Sequence, residues 1–95
     1  MPTETATRTV TITNPHGLHA RPALAIVKTV KKYDAIVTIC RGNQIIDASS
    51  ILDLLSLGAT QGTELLLSAK GRQAEEVIEA LAQVFDAEFE IDYKD

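Results

Sequence analysis

The residues best suited to chemistry in this chain lie close together, as His19, Arg21 and Pro22 within the stretch 17–22. An imidazole can act as a nucleophile, and a guanidinium can bind two oxygens of a phosphate or carboxylate. Pro22 stands at the head of an apolar-periodic segment, and proline is tolerated in a helix only within its first turn. The sequence therefore predicts a helix that starts near Ala20 or Arg21, with His19 at its N-terminal end.

The start of that helix is suited to binding an anion. First-turn N–H groups have no acceptor within the helix, and the helix dipole adds positive charge. This environment favours the neutral imidazole of His19, the form that can attack phosphorus. Once His19 carries a phosphoryl dianion, we expect the backbone of Ala20 and Arg21, together with the Arg21 side chain, to stabilise the charge.

Two simpler interpretations of His19 stand beside this one. In the first, His19 only flanks a helix and Arg21 lies in solvent. In the second, His16 and His19 bind a metal, although no further His, Cys or acidic ligand lies nearby in the sequence and zinc normally takes three or four protein ligands. We therefore expect no metal site.

The residues Gly17-Leu18-His19-Ala20-Arg21-Pro22-Ala23 resemble the active-site signature of the HPr family. These proteins are the histidine-containing phosphocarriers of the bacterial sugar phosphotransferase system, and the likeness runs from roughly Thr9 to Phe85. The resemblance implies that His19 takes a phosphoryl group from phosphoenolpyruvate-charged enzyme I and passes it to IIA proteins or domains, with Arg21 as the stabilising neighbour. It also implies a carrier that has no turnover of its own and needs no cofactor.

A second region of resemblance begins at Ser50, which is followed by Ile51, Leu52 and a further leucine-rich turn. In some HPr proteins the serine that caps this helix is phosphorylated by an ATP-dependent kinase, so Ser50 is a candidate regulatory site and such a kinase a candidate partner. Three positions depart from the usual pattern: Ser49 replaces a frequent lysine, Asp53 adds negative charge to a helix that is often basic, and His16 replaces a small polar residue. The acidic C-terminal end resembles the nitrogen-related branch, which leaves sugar uptake and regulation both open.

Length and composition favour one small domain. The chain has 95 residues and a formal net charge of −4, which argues against a general nucleic-acid binder. Its single cysteine, Cys40, cannot form an internal disulfide, and we expect it to pack and not to react. No leader-like start or membrane-spanning run is visible, so we expect a cytoplasmic monomer. We expect one domain over residues 1–95, with a core of about 8–88 and tails at 1–7 and 89–95.

Hydrophobic periodicity predicts four strands and three helices. The predicted strands are Thr9–Thr13, Ala35–Cys40, Gln44–Ala48 and Glu64–Ala69, and the predicted helices are Ala20–Tyr33, a short one from the Ser50 cap to Gly58, and Ala74–Phe85. The tight turn 41–44 makes the second and third strands antiparallel, and Gly42 and Asn43 are expected to supply positive φ. This order predicts an α+β open-faced β-sandwich, in which three helices cover one face of a four-stranded antiparallel sheet.

The short helix is the candidate partner surface. Its apolar residues are too many for one buried face, so part of the set should be exposed, as is typical of a surface that binds partners. We assign partner binding to Ile51, Leu52 and Leu55, together with Ala20 and Lys28, the lysine nearest the His19 end of the first helix. A regulator that acts only by binding partners through these residues is the alternative to a phosphocarrier.

Overall fold

The computed structural model describes residues 4–89, which form four strands and three helices in the expected order. The elements are β1 (Thr5–Thr11), α1 (Ala20–Val30), β2 (Ile36–Arg41), β3 (Gln44–Asp47), α2 (Ile51–Ser56), β4 (Glu64–Lys70) and α3 (Ala74–Asp86).

The strands form one antiparallel sheet with the spatial order β1-β4-β2-β3. β4 pairs with β1 on one side and with β2 on the other, and β2 continues into β3 through the tight turn at Gly42. Gly42 has φ +58, whereas Asn43 is not among the residues with positive φ, so only one of the two expected turn residues adopts that conformation. The predicted fold class is confirmed.

Alternation along the strands separates a helix-covered face from an open face. Val37, Ile39, Leu65 and Leu67 are almost completely buried and point toward the helices. Residues of the opposite parity face outward, among them Ile36, which is 72% exposed. Cys40 is half-buried on this open face, and its sulfur lies 3.1 Å from the carbonyl oxygen of Gly42.

The long helices supply the other half of the core. α1 buries Pro22, Ala23, Ile26 and Val30, while α3 buries one stripe that includes Leu81 and Phe85. Helical spacing of apolar residues explains this directly, because positions three and four apart share one face. Burial of these stripes against the sheet fixes both ends of α1, and therefore the position of its first turn.

The folded part extends further in both directions than the expected core of about 8–88. β1 begins at Thr5, because Thr5–Thr7 pair in register with Ser68–Lys70, so the tail expected at 1–7 is partly strand. The last residues of the strand predicted at Thr9–Thr13 lie beyond β1, although the N–H of Ile12 still donates to Thr63.

At the other end, Phe89 is only 3% exposed and packs against Phe85 at a ring-centroid distance of 4.8 Å, so it belongs to the core and not to a tail. The remaining residues of the expected tail, 90–95, lie outside the described residues. The first helix is shorter than the predicted Ala20–Tyr33, because α1 gives way to a turn in which Lys32 and Tyr33 donate to carbonyls three residues back.

Candidate functional site

His19 is the N-cap residue of α1, as the sequence predicts. Its backbone is extended (φ −121, ψ −166), and its side chain makes no capping hydrogen bond. The first turn contains no acidic residue, and Pro22 has no N–H to satisfy. The imidazole is exposed, so a nucleophile and the positive end of a helix dipole meet at the surface without an internal counter-charge from the first turn.

The loop before His19 is held by a small hydrogen-bond network. The Gly17 N–H donates to the Asn14 carbonyl at 3.2 Å, and the Asn14 amide nitrogen donates back to the Gly17 carbonyl at 2.8 Å. Leu18 N–H donates to Ala59 at 2.9 Å, which ties the loop to the segment before β4. Asn14 is buried, so this turn is part of the folded framework and fixes the approach to α1.

Glycine is required at position 17 for two reasons. Its φ is +68, a region that other residues rarely adopt. A Cβ added there would also lie 2.6 Å from the carbonyl oxygen of Ala59, and that atom is backbone and cannot swing away. The Gly17 of the signature stretch therefore allows the loop to approach its neighbour closely, and this places His19.

The imidazole opens into a surface pocket of about 400 Å³. The lining comes from the loop before α1, the first turn of α1 and the end of α3: Asn14, Pro15, His16, His19, Arg21, Pro22, Glu88 and Phe89. His19 and Arg21 thus share one pocket, as the sequence predicts, and Arg21 is exposed there. Other residues of the lining could not be assigned to the site from the sequence.

Glu88 and Phe89 are the main additions. Both have positive φ (54 and 67) although neither is glycine, and they follow the C-terminal end of α3. The Phe89 N–H closes the turn by donating to Val84 at 2.8 Å, and burial of the Phe89 ring offsets the cost of this backbone conformation. Glu88 is consequently held beside the pocket. Nothing in the local sequence signals this, because it depends on how α3 ends.

His16 and His19 lie side by side in the pocket. Their ring centroids are 6.1 Å apart and the ring planes are nearly perpendicular, at 87°. Both side chains are exposed. Among residues 4–89 there is no group of three or more His, Cys, Asp or Glu side chains arranged to hold a metal ion, so the two imidazoles stand without the further ligands that such a site requires.

α2 begins in the way that the sequence predicts for Ser50. The Ser50 hydroxyl accepts a hydrogen bond from the Asp53 N–H at 3.2 Å, so Ser50 is the N-cap. The N–H of Ser50 donates to the Asp47 carbonyl, so the reciprocal half of a capping box is replaced by a turn. The side chain of Asp47 accepts from Ser49, whose backbone N–H and hydroxyl lower the pKa of this carboxyl.

The far end of α2 is also closed by side chains. Arg41 donates to the Leu57 carbonyl at 2.6 Å, and Gln44 donates to the Ser56 carbonyl at 3.2 Å. Ser56 is the last residue of α2 and Leu57 follows it. Carbonyl groups at the end of a helix have no N–H donor within the helix, so these two side chains supply the missing donors. The β2–β3 hairpin therefore fixes a helix of only six residues, which the sequence pattern alone did not indicate.

The apolar residues of α2 divide as expected. Leu54 is fully buried, whereas Leu52 is 79% exposed and Ile51 and Leu55 are exposed by about a third. The accessible side of α1 is narrow, and it runs from Ala20 and Arg21 through Leu24 to Lys28.

Lys28 lies in the last turn of α1, and it is nearer than Lys31 and Lys32 to His19. Nine residues separate the two, or about 14 Å along the axis at the helical rise, so Lys28 does not line the His19 pocket. It borders the exposed side of α1 at a distance from the imidazole. A role for Lys28 in partner binding therefore concerns the outer part of the surface, away from the site of chemistry.

Comparison with known proteins identifies the family. Residues 6–87 match the family described as "PTS HPr component phosphorylation site". The phosphocarrier protein HPr of Vibrio cholerae is 40% identical over 77 residues, which cover 81% of this chain and 91% of that protein. The chain belongs to the HPr family, the phosphocarriers of the phosphotransferase system.

Two further matches are a longer phosphotransfer protein and a solved structure. A multiphosphoryl transfer protein of Haemophilus influenzae is 40% identical over 78 residues, which cover 79% of this chain and only 16% of that longer protein. The crystal structure of HPr-C-His from Thermoanaerobacter tengcongensis superposes with a TM-score of 0.86 at 37% identity, covering 92% of this chain and 98% of that one. The HPr unit thus also occurs within larger phosphotransfer proteins.

No helix within residues 4–89 has the length and apolar character needed to cross a membrane.

Proposed function

We propose that this protein accepts a phosphoryl group from phosphoenolpyruvate-charged enzyme I on His19 and passes it to a IIA protein or domain. The observation that carries the proposal is the exposed imidazole at the N-cap of α1, beside Arg21, on a helix start that has neither a side-chain cap nor an acidic residue. Membership of a phosphocarrier family supports the same assignment. The identity of the IIA partner decides whether the phosphoryl group serves sugar uptake or regulation.

The chemistry requires little from the carrier beyond position. A lone pair of one His19 ring nitrogen attacks phosphorus while the bond from phosphorus to enzyme I breaks, and that electron pair stays with enzyme I. The other ring nitrogen keeps its proton. The first-turn N–H groups of Ala20 and Arg21 and the Arg21 guanidinium then stabilise the phosphoryl oxygens. The second transfer repeats the displacement with this phosphoimidazole as donor, so the carrier itself undergoes no net change.

Docking of both partners is assigned to the exposed residues beside the site. Ile51, Leu52 and Leu55 on α2 expose apolar surface, and Ala20 and Lys28 are accessible on α1. A surface that serves two partners in turn should be shallow and apolar with a polar rim. A partner that docks on these residues and on the start of α1 would present its active site to the pocket that contains His19.

The test is incubation with enzyme I and phosphoenolpyruvate, followed by intact-mass and peptide mass spectrometry. We expect one phosphoryl group on His19 that is labile in acid and stable in base. His19→Ala should abolish the label, while the matched variant His16→Ala should still be labelled. Label that survives in His19→Ala and disappears in His16→Ala would overturn the assignment.

Ser50 is a second candidate site, for regulation by a serine kinase. Its hydroxyl already has a structural role as the N-cap of α2, and this role alone accounts for a serine at the position. Its place in the same helix as the docking residues supports the proposal that a phosphoryl group on Ser50 would interfere with partners. Incubation with an HPr serine kinase and ATP tests it, and label on a residue other than Ser50, or none, would remove it.

A further inference from the structure

His16 and Glu88 are the chargeable groups of the pocket that the proposed transfer does not use, and of these two His16 is the one that can carry a positive charge. Its ring lies 6.1 Å from that of His19, and the perpendicular arrangement turns the edge of one ring toward the face of the other. The ring edge carries the N–H groups of an imidazole. The hydrogen bonds between Asn14 and Gly17 hold the backbone of the turn that contains His16, so the two imidazoles start from a folded loop.

We propose that His16, when protonated, stabilises the phosphoryl group on His19 and makes the phosphoryl-transfer equilibrium dependent on pH. The proposal rests on the function proposed for His19. A phosphoryl group on that imidazole projects its oxygens beyond the ring, into the pocket shared with His16. Opposite charges within about 4–6 Å favour each other's charged form. In this role His16 binds the transferred group but does not itself accept it.

The surroundings of His16 contain both signs of charge. On α1 these are His19 itself and Arg21, and after α3 it is Glu88; all three line the same pocket. The segment 58–63, which packs against the loop, contains no titratable side chain. A dianion on His19 adds negative charge to this set, and a protonated imidazole at position 16 would oppose that charge alongside Arg21.

The direction of the pH effect follows from linkage. The extra stabilisation of the phosphorylated form exists only where His16 is protonated, so it is present at low pH and is lost as the pH rises. The phosphoryl group should therefore be held more tightly at pH 6 than at pH 8.5, relative to a protein that has a neutral residue at position 16.

A competition experiment measures this directly. Equal amounts of wild type and His16→Asn are mixed with a trace of enzyme I and with phosphoenolpyruvate at half the total carrier, until phosphoryl exchange reaches equilibrium. Intact-mass spectrometry resolves the two proteins and gives the phosphorylated fraction of each. Because both proteins share one donor and one type of acceptor histidine, the pH dependence of enzyme I and of His19 cancels in the ratio.

We expect the wild type to hold about threefold more phosphoryl group than His16→Asn at pH 6, and about an equal share at pH 8.5. His16→Ser, as a second neutral variant, should behave in the same way, and circular dichroism should show both variants folded. Lys31→Gln is the control for net charge, because it removes a cation from the opposite end of α1; its ratio should stay near one at both pH values.

Three results separate the possibilities. A ratio near one at both pH values overturns the role of His16. A ratio that is raised equally at both pH values also overturns the proposal. It would show that His16 acts through a contact that does not depend on its charge. If neither protein carries label on His19, the proposed function has failed, and the result is distinct from either of these.

Discussion

The N-terminal ends of α1 and α2 lie in the same domain and are built in opposite ways. α2 starts with Ser50, whose hydroxyl accepts from the Asp53 N–H, and an aspartate stands in its first turn. α1 starts with His19, which makes no capping bond, and its first turn contains no acidic residue. In α2 a first-turn N–H group is hydrogen-bonded by the side chain of the helix's own N-cap. In α1 no side chain caps the first-turn N–H groups, so they are suited to bind an anion from outside.

This difference shows how a short sequence separates structure from function. α2 has only six residues, so it needs both the serine cap and the bonds from Arg41 and Gln44 at its other end. α1 has eleven residues and a broad buried face, so packing holds it without a cap. A helix that is secured by its core can leave its first turn available for chemistry.

The largest expected effect comes from giving α1 the cap that α2 has. His19→Ser should abolish phosphoryl transfer, because no imidazole remains, and should stabilise the fold by up to about 1 kcal/mol, since serine is a preferred N-cap. Labelling with enzyme I and a urea melt measure the two effects. A clear loss of stability would mean that the His19 side chain stabilises α1, and would contradict the view that this helix needs no contribution from its N-cap.

The second prediction concerns the exposed residues of α2. Leu52→Asp should weaken enzyme I binding by about tenfold or more, because an apolar anchor at the centre of an interface is replaced by a charge. The free energy of unfolding should change by less than about 0.5 kcal/mol, since Leu52 is 79% exposed. Calorimetric titration checks the binding.

Ile36→Asp is the matched control for that variant, because Ile36 is 72% exposed on the open face of the sheet, away from the helices. It should leave enzyme I binding unchanged. Equal losses in the two variants would point to a general effect of charge, and unfolding of Leu52→Asp would show that Leu52 supports the core.

A smaller effect is expected from the side chain that flanks the open helix start. Arg21→Lys keeps the charge but loses the planar guanidinium, so transfer from enzyme I should slow by about three- to tenfold while the melting temperature is unchanged. Arg21→Ala should slow transfer further. Rapid-quench kinetics measure these rates, and equal rates for both variants and the wild type would mean that the helix terminus alone is sufficient.

The smallest effect is expected at the capped helix. Ser50→Asp should fold as stably as the wild type, because aspartate is also a good N-cap, yet enzyme I should phosphorylate it about two- to fivefold more slowly at low salt. The deficit should shrink as salt screens the new charge. Ser50→Ala separates the two roles: it should lose about 1 kcal/mol of stability and keep its transfer rate. A Ser50→Asp rate equal to wild type at low salt would leave Ser50 as a cap only.

The order of elements and the start of α1 were predictable because each depends on local pattern. Pro22 and the apolar spacing after it are enough to place His19 at a helix terminus. The Ser50 cap was predictable for the same reason. Gly17 was recognisable as a loop residue, but its close approach to Ala59 depends on a segment forty residues away.

The remaining parts of the site depend on tertiary packing. Glu88 and Phe89 reach the pocket because both adopt positive φ after the end of α3 and Phe89 packs into the core, and the sequence there contains no glycine to signal it. His16 and His19 come from a turn that Asn14 closes, and their ring centroids lie 6.1 Å apart. Spacing in sequence shows that such side chains are near one another, but it does not give the arrangement of their rings.

The central claim is that the open terminus of α1 receives the phosphoryl group. Heteronuclear NMR on the ¹⁵N-labelled, phosphorylated protein can detect coupling between ³¹P and amide nitrogens across hydrogen bonds. We expect such coupling to the backbone N–H groups of Ala20 or Arg21 and none to Ile51 or Leu52 at the start of α2. Absence of coupling at α1, or coupling at α2, would contradict it.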